Sequence, residues 1–234
     1  LEDMRRKLEG KAYVEQYVQS LTHEMKSPLA AIGGAAELLQ EPLPEAERQR
    51  FAGHILQQQR RLTATIDKLL ALAEVEQHGW LQRREPLDLA GLLRQAVASA
   101  EPRLARTGLD VQLDGVEQPA PVRGDGFLLA QALSNLLDNA MAFAPPGSCI
   151  QLGLEREPGR LCVVVRDRGP GVPDYARERV FERFYSLARP DGGARSSGLG
   201  LPFVREVARL HGGQAWLRNR PEGGAEAGFW LAPG

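Results

Sequence analysis

The stretch SLTHEMKSPLAAI, residues 20–32, sets His23 and Glu24 side by side, five residues ahead of Pro28. A neutral imidazole is a nucleophile, and Glu24 can take or share its proton. Ser27, one helical turn on, lies on the same face. Pro28 has no amide to offer the carbonyl of Glu24, and its ring pushes that carbonyl aside, which loosens a helix one turn past the histidine. His23 falls roughly 170° from the centre of the apolar stripe of its helix and so points outward. A structural helix has no use for an exposed ionisable pair or for a weakened turn, whereas a nucleophile needs both a base and room for another domain to reach it. HEMKS is not a zinc site, because Ser27 stands where a second histidine would be needed.

A second set of candidates lies downstream. In LSNLLDNA, Asn135 and Asn139 are four residues apart on one helix face. They are either surface amides or hard oxygen ligands for Mg²⁺, which takes its remaining ligands from water and phosphate. In VVVRDRGPG, Asp167 ends an apolar run, and Gly169 and Gly171 turn the chain. Such an aspartate is often only a turn former, but its carboxylate could also accept the exocyclic amine of a purine. In SSGLGLPF, Gly198, Leu199 and Gly200 open a helix, where free backbone amides suit phosphate. Residues 172–197 are polar and glycine-rich with VFERFY as their apolar anchor, the texture of a lid. There is no GxxxxGK[ST] loop, and GPGVPD lacks the third glycine of a dinucleotide fingerprint.

The elements that must position these residues fall into two parts. Val14, Val18, Leu21, Met25, Leu29, Ile32, Ala36 and Leu39 recur at steps of three and four, the stripe of a long helix. EPLPEAE, 41–47, breaks it. Phe51, Ile55, Leu62, Ile66, Leu69 and Ala73 form a second stripe, which His78 and Gly79 close. Two such helices cannot bury their stripes alone, whereas a hairpin paired with a second copy as a four-helix bundle can. The texture changes across 78–86. From there, helices are predicted over 87–105, 125–144 and 201–210, and strands over 109–113, 149–155, 161–167, 214–219 and 226–232, one α/β layer domain. A net charge of −1 over 234 residues gives no electrostatic case for nucleic acid. No apolar run approaches the roughly 20 residues of a membrane span. Cys149 and Cys162 are expected as buried free thiols of a reducing compartment. The chain begins at Leu1 rather than Met, with no signal peptide, and is expected to be part of something longer.

Each piece has an ordinary reading by itself, but the set in this order resembles the Bergerat-type ATP-binding fold. With HEMKSP upstream, the whole of 8–232 resembles the transmitter region of sensor histidine kinases. The boxes are LTHEMKSPLAAI, NLLDNA, DRGPG, FERF and GLGL, and the wording of SSGLGLPFVREVARLHGG is similar to the CreC-type sensors. The resemblance implies an α+β protein of two domains: a helical hairpin over 1–78 that dimerises as a four-helix bundle, and an α/β sandwich over 86–234 that binds ATP and Mg²⁺. It implies that His23 is the phosphoacceptor, with Glu24 sharing its proton and Ser27 at the position used for phosphatase activity. Asn139 would hold Mg²⁺ with Asn135 beside it. Asp167 would read adenine with Gly169 and Gly171 shaping its turn, and Phe143 would stack on the base. The amides of Gly198, Leu199 and Gly200 would meet the phosphates. Where the family often has a cation, this chain has Ala142, and Arg195 in the lid is expected to replace part of that charge. The implied partner is the receiver domain of a response regulator, CreB-like, and the implied setting is the cytoplasmic portion of an inner-membrane sensor, with no nucleic acid and no membrane contact by this segment. An ATPase of the same nucleotide fold and an inactive dimeric scaffold are the alternatives.

Overall fold

A computed structural model of the chain describes residues 2–78, 80–190, 192 and 196–233, so Gly79 and Arg195, singled out above, lie outside the described residues, as do the side chains of Val14 and His78. The chain divides into two compact units, Leu1–Leu70 and Ala71–Gly234. The first holds helix α1 (Glu2–Leu38) and most of α2 (Glu45–His78), whose last turns belong to the second. Prolines 42 and 44 separate them. The carbonyl of Pro44 accepts the amides of Glu47 and Arg48, both at 3.0 Å, and Glu45 and Glu47 place negative charge on the positive end of α2. The stripes remain partly uncovered within one chain: Val18 and Leu29 on α1 and Ile66 on α2 are 51%, 52% and 36% exposed, while Leu21, Met25, Ile32, Leu62 and Leu69 are half-buried. Among the described residues no helix is long and apolar enough to cross a membrane.

The second unit is a five-stranded sheet with helices layered on it. Strands β2 (Asp110–Asp114), β4 (Cys149–Glu157), β5 (Arg160–Arg166), β6 (Gln214–Asn219) and β7 (Ala225–Leu231) lie in the order β2-β4-β5-β7-β6. Only β2 and β4 run parallel. Helices α3 (Leu89–Thr107), α4 (Gly126–Phe143) and α5 (Gly200–Leu210) supply the other layer, and Leu93, Leu129, Leu133, Leu136, Ile150, Leu152, Val163, Val207 and Phe229 form the buried core. Cys162 is buried as expected, but Cys149, at the start of its strand, is only half-buried.

A second, two-stranded sheet pairs β1 (Glu85–Asp88) with β3 (Pro121–Gly124), antiparallel. Residues 87 and 88, expected in a helix, are therefore strand, and α3 begins at Leu89. Asp88 is the reason: its carboxylate caps α3 by accepting from the amides of Ala90 (3.2 Å) and Gly91 (3.0 Å), and also takes the amide of Ala120 (2.8 Å) beside β3.

The start of α4 is fixed twice. Asp125 caps it, accepting from the amides of Phe127 (3.0 Å) and Leu128 (3.1 Å). The amide of Asp125 in turn donates to Nε2 of His211 at 3.0 Å. Nε2 is thus unprotonated, and Nδ1 carries the hydrogen it donates to the carbonyl of Val207 at 2.8 Å. Burial holds the His211 imidazole below its ordinary pKa, which favours this neutral form. His211 follows α5, so the far end of α5 sets where α4 begins.

Candidate active site

The candidate residues of the first unit lie on α1. His23 and Ser27 are exposed, Glu24 is half-buried and Pro28 is buried. One residue before His23, the Thr22 hydroxyl donates to the carbonyl of Val18 at 2.7 Å. The helix continues through Pro28 as a single element. The imidazole is open to solvent beside a carboxylate, in a segment where one carbonyl has lost its helical donor.

In the second unit, one face of α4 collects three candidates at four-residue steps. Asn135 is buried, and Asn139 and Phe143 are half-buried. Eight residues of helix span roughly 12 Å. At the Phe143 end lies the turn after β5. A Cβ on Gly169 would stand 2.5 Å from the carbonyl oxygen of Phe143, so only glycine lets this turn approach the helix. At the other end, a Cβ on Gly200 would sit 3.6 Å from Cβ of Asn135, which puts the N-terminus of α5 against that asparagine. Gly198, at φ 65°, accepts the amide of Phe184 at 3.0 Å. Phe184 itself adopts φ 62°, a conformation side chains avoid, so the FERF segment carries local strain where it anchors the start of α5. The fold thus brings Asp167, Gly169 and Phe143 together at one end of the face and Asn135, Gly198, Leu199 and Gly200 at the other, with Asn139 between them.

Two buried carboxylates, Asp167 just past the end of β5 and Glu226 on β7, have opposite surroundings. Glu226 accepts from Arg166 Nε (2.7 Å), Arg218 Nε (2.7 Å) and Trp216 Nε1 (3.1 Å). Burial pushes its pKa up, but these partners outweigh that and hold it below the ordinary value. It is a satisfied structural acid. Asp167, 6% exposed, has only backbone donors. Its Oδ1 accepts from Gly169 (2.7 Å) and Ala225 (3.3 Å), and among the described residues no protein donor meets Oδ2. Burial raises its pKa despite those bonds and the nearby Arg220. A buried carboxylate with an oxygen left to accept is suited to a ligand amine.

The segment after this turn is not featureless. Short 3₁₀ turns at Asp174–Ala176 and Arg179–Phe181 bury Ala176, Val180 and Phe181. Arg183 makes an ion pair with Glu76 in the last turns of α2, within the same unit. Sequence reasoning missed Glu76, Asn219, Arg220, Gly224 and Glu226. Glu76 is one more charge on a helix, and the others form a strand end and turn whose role depends on pairing with β5.

Among the described residues no group of three or more His, Cys, Asp and Glu could hold a metal ion. The amide oxygen of Asn139, a half-buried residue, nevertheless fits Mg²⁺, a hard cation that keeps water and phosphate oxygens as its other ligands.

Comparison with known proteins agrees with this division. Residues 13–78 match the His Kinase A (phospho-acceptor) domain, and residues 124–233 match the family of histidine kinase-, DNA gyrase B-, and HSP90-like ATPases. The sensor protein CreC of Escherichia coli (strain K12) is 47% identical over 235 residues, covering 99% of this chain and 48% of that protein. The chain therefore spans about half the length of the curated relatives it matches. Among solved structures, the mycobacterial sensor histidine kinase MprB is 30% identical with a TM-score of 0.54, over 64% of this chain and 97% of that one. Full-length ShkA in complex with AMPPNP is 27% identical with a TM-score of 0.67, over 94% of this chain and 46% of that one. With a phospho-acceptor helix pair, an ATPase sheet domain and relatives of this similarity, the chain belongs to the sensor histidine kinases, a family of ATP- and Mg²⁺-dependent protein-histidine kinases.

Proposed function

We propose that the chain phosphorylates its own His23 from ATP and passes the phosphoryl group to an aspartate of a response regulator. The observation that carries this is the buried carboxylate of Asp167, with one oxygen left to accept, at the end of an α4 face that leads to the N-terminus of α5. Along that face, Asp167 accepts the amine of adenine and Phe143 stacks on the base. Asn139 is the Mg²⁺ ligand, Asn135 supports the phosphate end, and the amides of Gly198, Leu199 and Gly200 receive phosphate oxygens. Asn139 would hold Mg²⁺, which when bound would neutralise charge that develops on the transferred group. The neutral imidazole of His23 attacks the γ-phosphorus. A nitrogen–phosphorus bond forms as the bond to the bridging oxygen breaks, ADP leaves, and Glu24 takes the imidazole proton. Incubation with γ-labelled ATP and a receiver domain tests the reading. Label is expected first on this chain and then on the receiver's aspartate, whereas release of free phosphate alone would make the chain an ATPase.

The working boundaries we assign are 1–78 for dimerisation and phosphotransfer and 86–234 for ATP binding. The regulator is CreB-like, and the longer protein is an inner-membrane sensor whose cytoplasmic portion includes this chain. The half-covered stripes of α1 and α2 support a homodimer through 1–78. The full chain is expected to sediment as a dimer and residues 71–234 as a monomer; a monomeric full chain would remove the bundle.

Ser27, exposed one turn after His23, is placed to orient a water against a phosphorylated regulator. Its hydroxyl lacks the methyl that fixes a threonine rotamer, so water is held loosely. Dephosphorylation of the regulator with ADP present should be weak, fall about threefold or more in Ser27→Ala and rise in Ser27→Thr, while His23 labelling stays within about twofold. Equal decay for wild type and Ser27→Ala would remove Ser27 from the reaction.

A further inference from the structure

We infer that Asn219 is a positioning residue for the adenine-reading carboxylate, acting by clamping the far end of the 167–172 turn. The inference rests on the reading of Asp167 given above. Asn219 is the last residue of β6 and pairs across the sheet with Ala225. Ala225 holds the near end of the turn: its carbonyl accepts the amide of Asp167 at 3.0 Å, and its own amide donates to Oδ1 of Asp167. The side chain of Asn219 holds the other end. Its Oδ1 accepts the amide of Val172 at 2.7 Å, and its Nδ2 donates to the carbonyl of Val172 at 2.8 Å. The carboxamide thus gives Val172 the two hydrogen bonds a neighbouring strand would give. The next residue adds a third tie, because Nη1 of Arg220 donates to the carbonyl of Asp167 at 3.2 Å.

The fit is close on both sides. Gly171 adopts φ 75°, and a Cβ there would stand 2.8 Å from Oδ1 of Asn219. Gly224 adopts φ 86°, and a Cβ there would stand 2.1 Å from the carbonyl oxygen of Asp167. Between the two ends, Gly169 and Gly171 leave the turn free to take many conformations unless both ends are held. Geometry at the reading oxygen matters because a misaligned acceptor loses most of a hydrogen bond. The clamp needs a donor and an acceptor in one short planar group, which asparagine supplies. Aspartate keeps the acceptor but sets a second oxygen against the carbonyl of Val172, and alanine keeps neither.

The test measures equilibrium binding by the full chain of two nucleotides: ATP, and purine riboside triphosphate, which has the same sugar and phosphates but no exocyclic amine. Wild type is expected to favour ATP by about tenfold or more. Asn219→Ala and Asn219→Asp are each expected to weaken ATP binding about threefold to tenfold and the purine analogue less than twofold, so that discrimination falls by the same factor. Nucleotide-free melting midpoints should stay within about 5 °C of wild type. Discrimination kept at the wild-type level in both variants would overturn the inference alone. An equal loss for both nucleotides, with or without a lower melting midpoint, would also overturn it, since a residue that only supports the hairpin cannot single out the amine. A wild type that does not discriminate would overturn the reading of Asp167 and the inference with it.

Discussion

His23→Gln is expected to take up no label from γ-labelled ATP, with a rate at least about 100-fold below wild type. The reason is electronic rather than structural. A carboxamide nitrogen has no available lone pair to attack phosphorus, whereas the neutral imidazole does. Glutamine is a good helix former, and His23 is exposed, so the substitution removes little packing and should change stability by less than about 0.5 kcal/mol. The ATP site belongs to the other unit, so nucleotide affinity should stay within about twofold of wild type. The wild-type product should behave as a phosphoramidate: lost in acid, kept in alkali. Labelling at the normal rate in His23→Gln would reject the assignment, and an acid-stable phosphoester would move it to a hydroxyl such as Ser27. Loss of nucleotide binding with loss of label would mean that the variant had damaged the fold instead.

Much of this was legible in the sequence because it is local. The helices α1, α2, α4 and α5 follow from apolar spacing, and Pro42 and Pro44 mark the break between the first two. β4 and β5 read as apolar strands joined by a Pro-Gly turn, and Asp167, Gly169, Gly198 and Gly200 stand where an element ends or begins. What was hidden depends on residues far apart in the chain. β1 and β3 are four residues long, each contains a proline, and they pair across more than 30 positions. Nothing in EPLD alone distinguishes a strand from the first turn of the helix that follows. Asp88 settles that boundary only through the amide of Ala120. Asn219 and Glu226 carry no motif. Their roles arise because β7 lies between β5 and β6, which brings the end of the β6–β7 hairpin against the turn that follows β5. The apolar spacing of α1 and α2 made the need for a partner readable, and the half-covered side chains of the single chain agree with it.

The same contrast between satisfied and unsatisfied groups governs Asp167→Asn, for which ATP affinity is expected to fall roughly 100-fold while the nucleotide-free protein melts no lower than wild type. The amide keeps an oxygen for Gly169 and Ala225, so the turn retains its internal hydrogen bonds. At the other position it presents an NH₂ where the carboxylate presented an acceptor, and two donors then face each other across the adenine amine. Stability should move the other way. Burial raises the folded-state pKa of Asp167 above its unfolded value, so the folded chain holds this proton more tightly. Its contribution to stability is full below the unfolded pKa and is lost as pH rises through the folded one. At neutral pH the ionised group is a net cost that asparagine removes. Acidification of the wild type should reproduce the binding defect reversibly, because protonation turns the acceptor into a donor. Affinity should begin to fall at a pH above the ordinary carboxylate range, and in Asp167→Asn that part of the pH profile should disappear. Binding titrations of both proteins from neutral to acid pH, with melting curves in parallel, decide the matter. Wild-type affinity in Asp167→Asn, or an unchanged acid limb, would remove Asp167 from base recognition. A lower melting temperature would mean that the charged carboxylate stabilises the fold instead.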